Sequence, residues 1–241
     1  MYEEQFQAYE VPPGDTSPRS FGEIPGLWLK FFQMTESFFA QESPRASNSN
    51  TLISIVILSV VTAIFTSLSV LISGGFQMAM MPPEYQDMFS SVGTMGGMFA
   101  CTLCGGLLGS VVSFYLGNGL IYLGSRIFGG DGGFGTQTYL QSLFTVPIGF
   151  VTSLLSLVTA IPVAGPCIGG LVILALSIYA IVLNVRAVKV AHNLTTGKAV
   201  AAIFIPSIAI GVIVACLVTV ALLILGPTIG NIFQEMTPGM W

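Results

Sequence analysis

Five long apolar stretches, separated by short polar or glycine-rich segments, dominate the pattern of this chain. They cover 51–73, 98–125, 139–161, 167–185 and 199–225. None of the five contains Asp, Glu, Lys or Arg, and each approaches or exceeds the roughly 20 apolar residues that a helix needs to cross a bilayer. The pattern therefore predicts an all-α integral membrane protein whose five transmembrane helices form one domain over 51–226.

The second apolar stretch carries small residues at intervals of four, beginning one residue ahead of it. This small-residue ladder consists of Gly97, Cys101, Gly105, Gly109, Ser113 and Gly117. Such spacing forms a groove that lets the backbone of another helix come close. The ladder drifts by about 40° per step, so it winds round the helix. We predict that this span is the hub of the bundle; the alternative is that glycine is simply common in membrane helices.

Ahead of the first span, 25–41 alternates aromatic and polar residues at helical spacing. The aromatic positions are Trp28, Phe31, Phe32, Phe38 and Phe39, and polar residues fall mostly on the other side. This pattern predicts an amphipathic helix of about four turns, with its rings in the headgroup boundary. The alternative is that the aromatic face packs on the protein's own spans. A polar linker follows to residue 50.

The two ends of the chain are expected to form tails. Residues 1–24 are acidic and contain several prolines, a composition that predicts a disordered cytoplasmic tail because too little apolar surface can be buried. Residues 227–241 follow the last span and are expected to form a short extracytoplasmic tail.

Prolines and amides inside the spans predict local features of the bundle. Pro147 and Pro206 cannot donate a backbone hydrogen bond, so each predicts a helix kink. Asn118, Gln141 and Asn184 are candidate intramembrane polar contacts. They would hold helices together at about 1 kcal/mol each, or line a path for an uncharged solute.

Composition and charge agree with a membrane protein and suggest its orientation. The chain is 53% hydrophobic and only 7% charged, whereas soluble domains carry about 25% charged residues. The seven Lys and Arg residues precede the first span or lie between spans two and three or four and five. Basic residues stay in the cytoplasm, so we expect a cytoplasmic N-terminus and an extracytoplasmic C-terminus. No basic cluster indicates nucleic-acid binding.

Few residues suggest chemistry. Cys101 and Cys104 form a C-x-x-C pair, but a structural zinc site needs two further ligands, and Cys101 belongs to the ladder. His192 stands alone in a polar connector, where a capping or solvated role is expected. The glycine-rich 128–135 lacks the Lys-Ser/Thr ending of a phosphate loop, so a hinge or tight turn is expected. We predict no catalytic, cofactor or metal site.

Three segments together resemble the Yip-domain (Ypt-interacting protein) family. They are 129–150 (GGDGGFGTQTYLQSLFTVPIGF), 187–206 (AVKVAHNLTTGKAVAAIFIP) and 27–39 (LWLKFFQMTESFF). The last is similar to the aromatic helix of bacterial members, which usually have a proline where Met34 to Glu36 stand. The Asp-Leu-Tyr-Gly-Pro motif of eukaryotic members, which bind Rab-type GTPases in vesicle traffic, is absent. The resemblance implies a five-span protein of the bacterial branch, in a bacterial cytoplasmic membrane, and does not imply a Rab partner.

These observations favour a non-enzymatic membrane organiser or partner-binding subunit that acts through its cytoplasmic face. The expected partners are the lipid bilayer and a second membrane protein or another copy of the chain. The alternative is a channel or permease for uncharged solutes, or a role in lipid handling. A packed bundle would favour the first reading, and a water-filled path would favour the second.

Overall fold

The computed structural model describes residues 17–80, 92–161 and 164–236, and these are helical with no strand. Two short helices come first, α1 (Ile24–Trp28) and α2 (Glu36–Glu42), with 3₁₀ turns at Phe21–Glu23, Phe31–Gln33 and Ser43–Arg45. Five long helices follow. They are α3 (Asn48–Met80), α4 (Val92–Ile127), α5 (Phe134–Thr159), α6 (Ala164–His192) and α7 (Thr196–Met236).

All five long helices are apolar enough to cross a membrane. Their candidate spans are Asn48–Phe76, Phe99–Ile127, Phe134–Thr159, Gly165–His192 and Thr196–Ile224. The predicted all-α fold with five transmembrane helices is therefore confirmed. The helices extend beyond several of the predicted spans, and α7 continues to Met236 through most of the expected C-terminal tail. Residues 1–16 and 237–241 of the two predicted tails lie outside the described residues.

The helices follow the order α3, α4, α7, α6, α5 around the bundle, and α5 packs back on α3. Helix α5 also contacts α4 and the N-terminal segment, and it buries a larger share of its span than any other helix. The span that organises the bundle is therefore α5. This corrects the sequence-based assignment of the hub to 98–125, which corresponds to α4.

The small residues that bring α4 close to its neighbours lie outside the ladder. A methyl group on Gly106 would touch the Cβ of Ala63 on α3 at 3.4 Å. A methyl group on Gly124 would collide with the Ala202 carbonyl oxygen of α7 and lie 2.8 Å from Pro206 Cγ. The four ladder glycines face open space within one chain: Gly97, Gly105, Gly109 and Gly117. Cys101 and Ser113 are exposed as well, so the ladder packs against no other helix in the described part of the chain. That the ladder is a helix-packing surface stays a prediction.

Pro206 accounts for the close approach of α4 to α7. As a proline it cannot donate to the carbonyl of Ala202, four residues earlier, which leaves that oxygen free. Gly124 fits against this oxygen because it has no side chain. Helix α5 likewise runs through Pro147 without a break. The Ser142 hydroxyl donates to the Tyr139 carbonyl at 2.7 Å rather than to the carbonyl that Pro147 leaves free. The kinks themselves stay a prediction.

The expected amphipathic helix over 25–41 is interrupted. Thr35, extended at φ −96° and ψ 173°, caps α2 by accepting a hydrogen bond from the Phe38 backbone N–H. The segment therefore turns between α1 and α2. Its apolar side chains join the main core of the bundle, where Ile24, Leu27, Phe31, Met34 and Phe39 pack with residues of α5 and α6.

The contact at Gly124 predicts a specific effect on stability. In Gly124→Ala, the added methyl group meets a backbone carbonyl and a proline ring, neither of which moves easily, so we expect a loss of about 1–3 kcal/mol. Gly117→Ala in the same helix adds a methyl group into open space and should be neutral or slightly stabilising. The measurement is the melting temperature of both variants, from thermal unfolding in mild detergent. Equal melting temperatures would contradict the α4–α7 contact.

Candidate functional site on the N-terminal face

A buried carboxylate holds the N-terminal segment against the membrane domain. Glu42, at the end of α2, is only 3% exposed. The Arg19 guanidinium donates to both of its oxygens, at 2.9 Å and 3.1 Å from Nε, and the Tyr139 hydroxyl of α5 donates at 3.3 Å. Arg45 is a further ion-pair partner at 3.9 Å. The carboxylate is thus compensated by two cations and a hydroxyl.

Arg19, which lies just before the Phe21–Glu23 turn, is the other main contact of this attachment. Its hydrogen bonds to Glu42, together with the negative charge there, hold the pKa of Arg19 above its ordinary value, so the guanidinium stays charged. The Asn50 side chain, at the start of α3, donates to the Arg19 carbonyl at 2.9 Å. Residues 19–45, which we call the N-terminal cap, are therefore fastened at both ends beside α3 and α5.

Three contacts along α6 fix the middle of the cap. The Tyr179 hydroxyl donates to the Phe31 carbonyl at 2.9 Å, and Arg186 donates to the Met34 carbonyl at 3.1 Å. Lys189 pairs with Glu36 at 2.8 Å. Two of these bonds go to backbone carbonyls, so they fix the path of the chain independently of side-chain identity in the cap.

The aromatic residues predicted to lie in the headgroup boundary divide between two surroundings. Phe31 and Phe39 are buried at 8% and 0% exposure, and Trp28 and Phe38 are partly buried against the same core. Phe32 is 70% exposed. Four of the five rings thus pack on the spans, as in the alternative reading, and one faces outward.

A second polar network joins three helices at the same end of the bundle. His192 Nε2, at the end of α6, lies 2.7 Å from Gln137 Oε1 of α5. Gln137 Nε2 donates to the backbone carbonyl of Asn118 on α4 at 2.9 Å. Because the Gln137 nitrogen is the donor to α4, its oxygen accepts from His192, which places the imidazole hydrogen on Nε2. All three side chains are at most 3% exposed.

The three amides that the sequence predicts as intramembrane contacts each meet a residue of another helix. Asn118 meets Gln137, and Asn184 accepts from Gln141 at 3.0 Å. Every pair lies between two helices, which is the arrangement expected of interhelical contacts. Asn118 also donates to the Phe114 carbonyl of its own helix at 2.9 Å.

The glycine-rich loop between α4 and α5 wraps over the end of α6. Gly129 has φ +87°, a conformation that favours glycine, and the Gly130 N–H donates to the Ser125 carbonyl at 2.8 Å. A methyl group on Gly132 would collide with the Ala191 carbonyl of α6. The Asn193 side chain donates to Asp131 at 3.1 Å. This is the geometry of a tight turn that caps α6.

Arg126 binds the same loop from α4. Its guanidinium lies over the Tyr122 ring, with Cζ 5.4 Å from the centroid, and donates to the Gly130 carbonyl at 3.1 Å. The Tyr122 ring in turn lies 5.7 Å from that of His192. Arg126 and the glycines of this loop thus contact other residues of the same chain.

The described residues do not assemble a metal site. No group of three or more His, Cys, Asp or Glu side chains comes together in 17–80, 92–161 and 164–236. Cys101 and Cys104 are free and exposed on α4. His192 Nδ1 is buried and finds no hydrogen-bond partner in the described part of the chain.

The comparison with known families fits this architecture. A family model described as the Yip1 domain matches residues 32–233, which is most of the chain. The chain belongs to the Yip1 domain family. No curated protein and no solved structure matches it.

Within this Yip1 domain, the residues that fix the N-terminal face were mostly missed by sequence reasoning. Glu42 and Arg45 were assigned to a polar linker, and Arg19 to a disordered tail. Glu42 and Tyr139 stand 97 residues apart, and no spacing rule links them. For Gln137 the only available signal was its place directly after the glycine-rich loop.

The glycine-rich loop of the Yip1 domain gives a second stability prediction. In Gly132→Ala the added methyl group runs into backbone atoms of α6, including the Ala191 carbonyl carbon at 2.6 Å, so loop and helix must separate at a cost of about 3 kcal/mol.

Gly133→Ala is the matched control, because its methyl group would find its nearest atom, the Thr136 hydroxyl oxygen, at 3.8 Å. Thermal unfolding in detergent should show a lower melting temperature for Gly132→Ala only. If both variants unfold at the temperature of the parent, the loop does not contact α6 as described.

Proposed function

We propose that this Yip1 domain protein is a non-enzymatic membrane organiser or partner-binding subunit that works through its N-terminal face. The observation that carries the proposal is the buried Glu42 cluster. It fixes the cap to α5, so the face that the cap covers is preformed rather than assembled on binding. A preformed surface loses less conformational freedom on association than a mobile segment does.

The makeup of the face supports the same proposal. It combines three parts. The cap is held by hydrogen bonds from side chains of α3, α5 and α6. The glycine-rich loop over 128–133 and the connector at 193–195 are attached to helix ends by backbone hydrogen bonds. All seven Lys and Arg residues of the chain lie in the cap or in the helix portions next to this face. We propose on this basis that the face is cytoplasmic. The absence of the Asp-Leu-Tyr-Gly-Pro motif of eukaryotic members supports the further proposal that the protein belongs to the bacterial branch, in a bacterial cytoplasmic membrane.

Orientation is tested by cysteine labelling in intact cells. In a variant with the four native cysteines replaced by alanine, a cysteine at Thr196, the exposed first residue of α7, should react with a membrane-impermeant maleimide only after lysis. A cysteine at Ser49, exposed at the start of α3, should behave identically because it lies on the same face. Labelling of either position in intact cells would contradict the proposed orientation.

The role of the cap is tested by releasing it. Glu42→Ala removes the shared acceptor of Arg19, Arg45 and Tyr139, so we expect the cap to detach and tryptic cleavage at Lys30 to accelerate at least tenfold. Gln41→Ala, at the exposed neighbouring position, is the matched control. Chemical crosslinking in membranes should recover the same partner with the parent and the control, and lose it with Glu42→Ala.

Two results would count against this function. One is that Glu42→Ala, with its cap shown by trypsin to be released, still crosslinks to the same partner. The other is that purified protein in liposomes conducts an uncharged solute, which would support a channel or permease instead.

A further inference from the structure

We propose that the first half of the cap is a re-entrant segment that inserts into one leaflet of the bilayer. This segment comprises 24–34, and its tip presents Leu29 and Phe32 to lipid acyl chains. It differs from the predicted surface helix, because it descends along α5 and α6 and then returns. The proposal goes beyond partner binding at the N-terminal face and does not depend on it.

The contacts of the cap trace the descent and the return. Arg19 and Glu42 lie beside Tyr139, near the start of α5. The Trp28 ring instead lies 6.3 Å from that of Phe150, eleven residues further along the helix. The chain then returns past Tyr179, Arg186 and Lys189 of α6. The tip is therefore roughly 16 Å further along the bundle than Tyr139, by the rise of an α-helix.

The charges of α6 locate the membrane boundary against which this depth is measured. Arg186 is the first charged residue after Gly165, and the segment between them is about 30 Å long, which matches the hydrocarbon core of a bilayer. Tyr179 lies seven residues short of Arg186, so it is about 10 Å inside that core. The Phe32 ring lies 6.0 Å from the Tyr179 ring, at the same depth.

Contacts with α5 give a depth for the tip that agrees with the depth derived from α6. Gln141 is bonded to Asn184, two residues from Arg186, so this pair marks the boundary on α5. Phe150 lies nine residues further on, about 13 Å below the pair. Since Trp28 packs on Phe150, two independent helices place the tip about a third of the way into the hydrocarbon core.

The tip is exposed, and its surface is continuous with the lipid-facing side of α6. Leu29 is 86% exposed and Phe32 is 70% exposed, the outward counterparts of the buried Leu27 and Phe31. On α6, Ile178, next to Tyr179, is 57% exposed. At this depth the surface of α6 contacts acyl chains, and the tip extends the same apolar surface.

Lipid tolerates no unpaired N–H or C=O group, and the structure pairs several of these groups in the segment. The N–H groups of Leu29, Lys30, Gln33 and Met34 all donate to carbonyls within the segment. The carbonyls of Phe31 and Met34 accept from α6. The turn thus satisfies these groups without water.

Lys30 is the one charged residue at the tip, and it does not prevent insertion. Its long side chain can extend toward the headgroups while its methylene groups stay among the acyl chains. The insertion adds protein cross-section to one leaflet only, because the cap lies at one end of the five-helix bundle.

Depth-dependent quenching of tryptophan tests the proposal. The full-length chain with Trp28→Phe and Trp241→Phe has no tryptophan, and Phe32→Trp then reports on the tip alone. Gln41→Trp, at an exposed position in the second half of the cap, is the matched control. Both proteins are reconstituted in phosphatidylcholine vesicles with bromine atoms halfway along the acyl chains. We expect blue-shifted emission from the tip and quenching at least twofold stronger than for the control.

The proposal would be overturned if the tryptophan at the tip had the same emission maximum and the same degree of quenching as the control. The tip would then lie outside the hydrocarbon core. A blue-shifted tip without quenching would also overturn it, since protein rather than lipid would cover the tip. If Phe32→Trp fails to fold, Leu29→Trp in the same tryptophan-free chain replaces it as the reporter. Leu29 is 86% exposed at the tip, so the same quenching is expected and its absence has the same meaning.

Discussion

The arrangement of the N-terminal half depends on the burial of one carboxylate. An ionised carboxyl group with no partner is very costly away from water, so Glu42 can occupy its position only when Arg19, Arg45 and Tyr139 surround it. These partners come from the start of the cap, the end of the cap and α5. Removing any one member of this cluster leaves the remaining members without part of their hydrogen bonding or charge compensation. The cluster therefore couples the start of the chain to the most buried helix of the bundle.

The second constraint is close backbone approach, which the chain achieves with single glycines rather than with a repeated motif. Gly124 meets the carbonyl that Pro206 leaves free, and Gly132 meets the last turn of α6. In each case the partner is a backbone oxygen, so any side chain would force whole elements apart. A small residue matters here because a backbone oxygen of another helix lies opposite it. The four-residue spacing of small residues along the chain does not reveal where such an oxygen lies.

This explains which features could be predicted from the sequence. Length, hydropathy and the positions of the basic residues suffice for five spans, because the bilayer imposes a length and penalises charge wherever a helix crosses it. The ladder on α4 satisfies the spacing rule and yet faces away from the rest of its own chain, while Gly106 and Gly124 do the packing. The five aromatics of the cap pose the same problem, since lipid and protein both accept an apolar ring. The structure divides them, with Phe31 inward and Phe32 outward.

The boundary of the folded unit also differs from the boundary of the family match. The Yip1 domain match begins at residue 32, but Ile24 and Leu27 belong to the same buried cluster as Leu143 and Leu183, which lie well inside the match. Arg19 lies further out and still supplies the principal partner of Glu42. A chain that began at residue 32 would keep all five spans but would expose this cluster and leave a buried carboxylate without its main cation. Residues 19–31, which lie ahead of the match, therefore pack as part of the membrane domain.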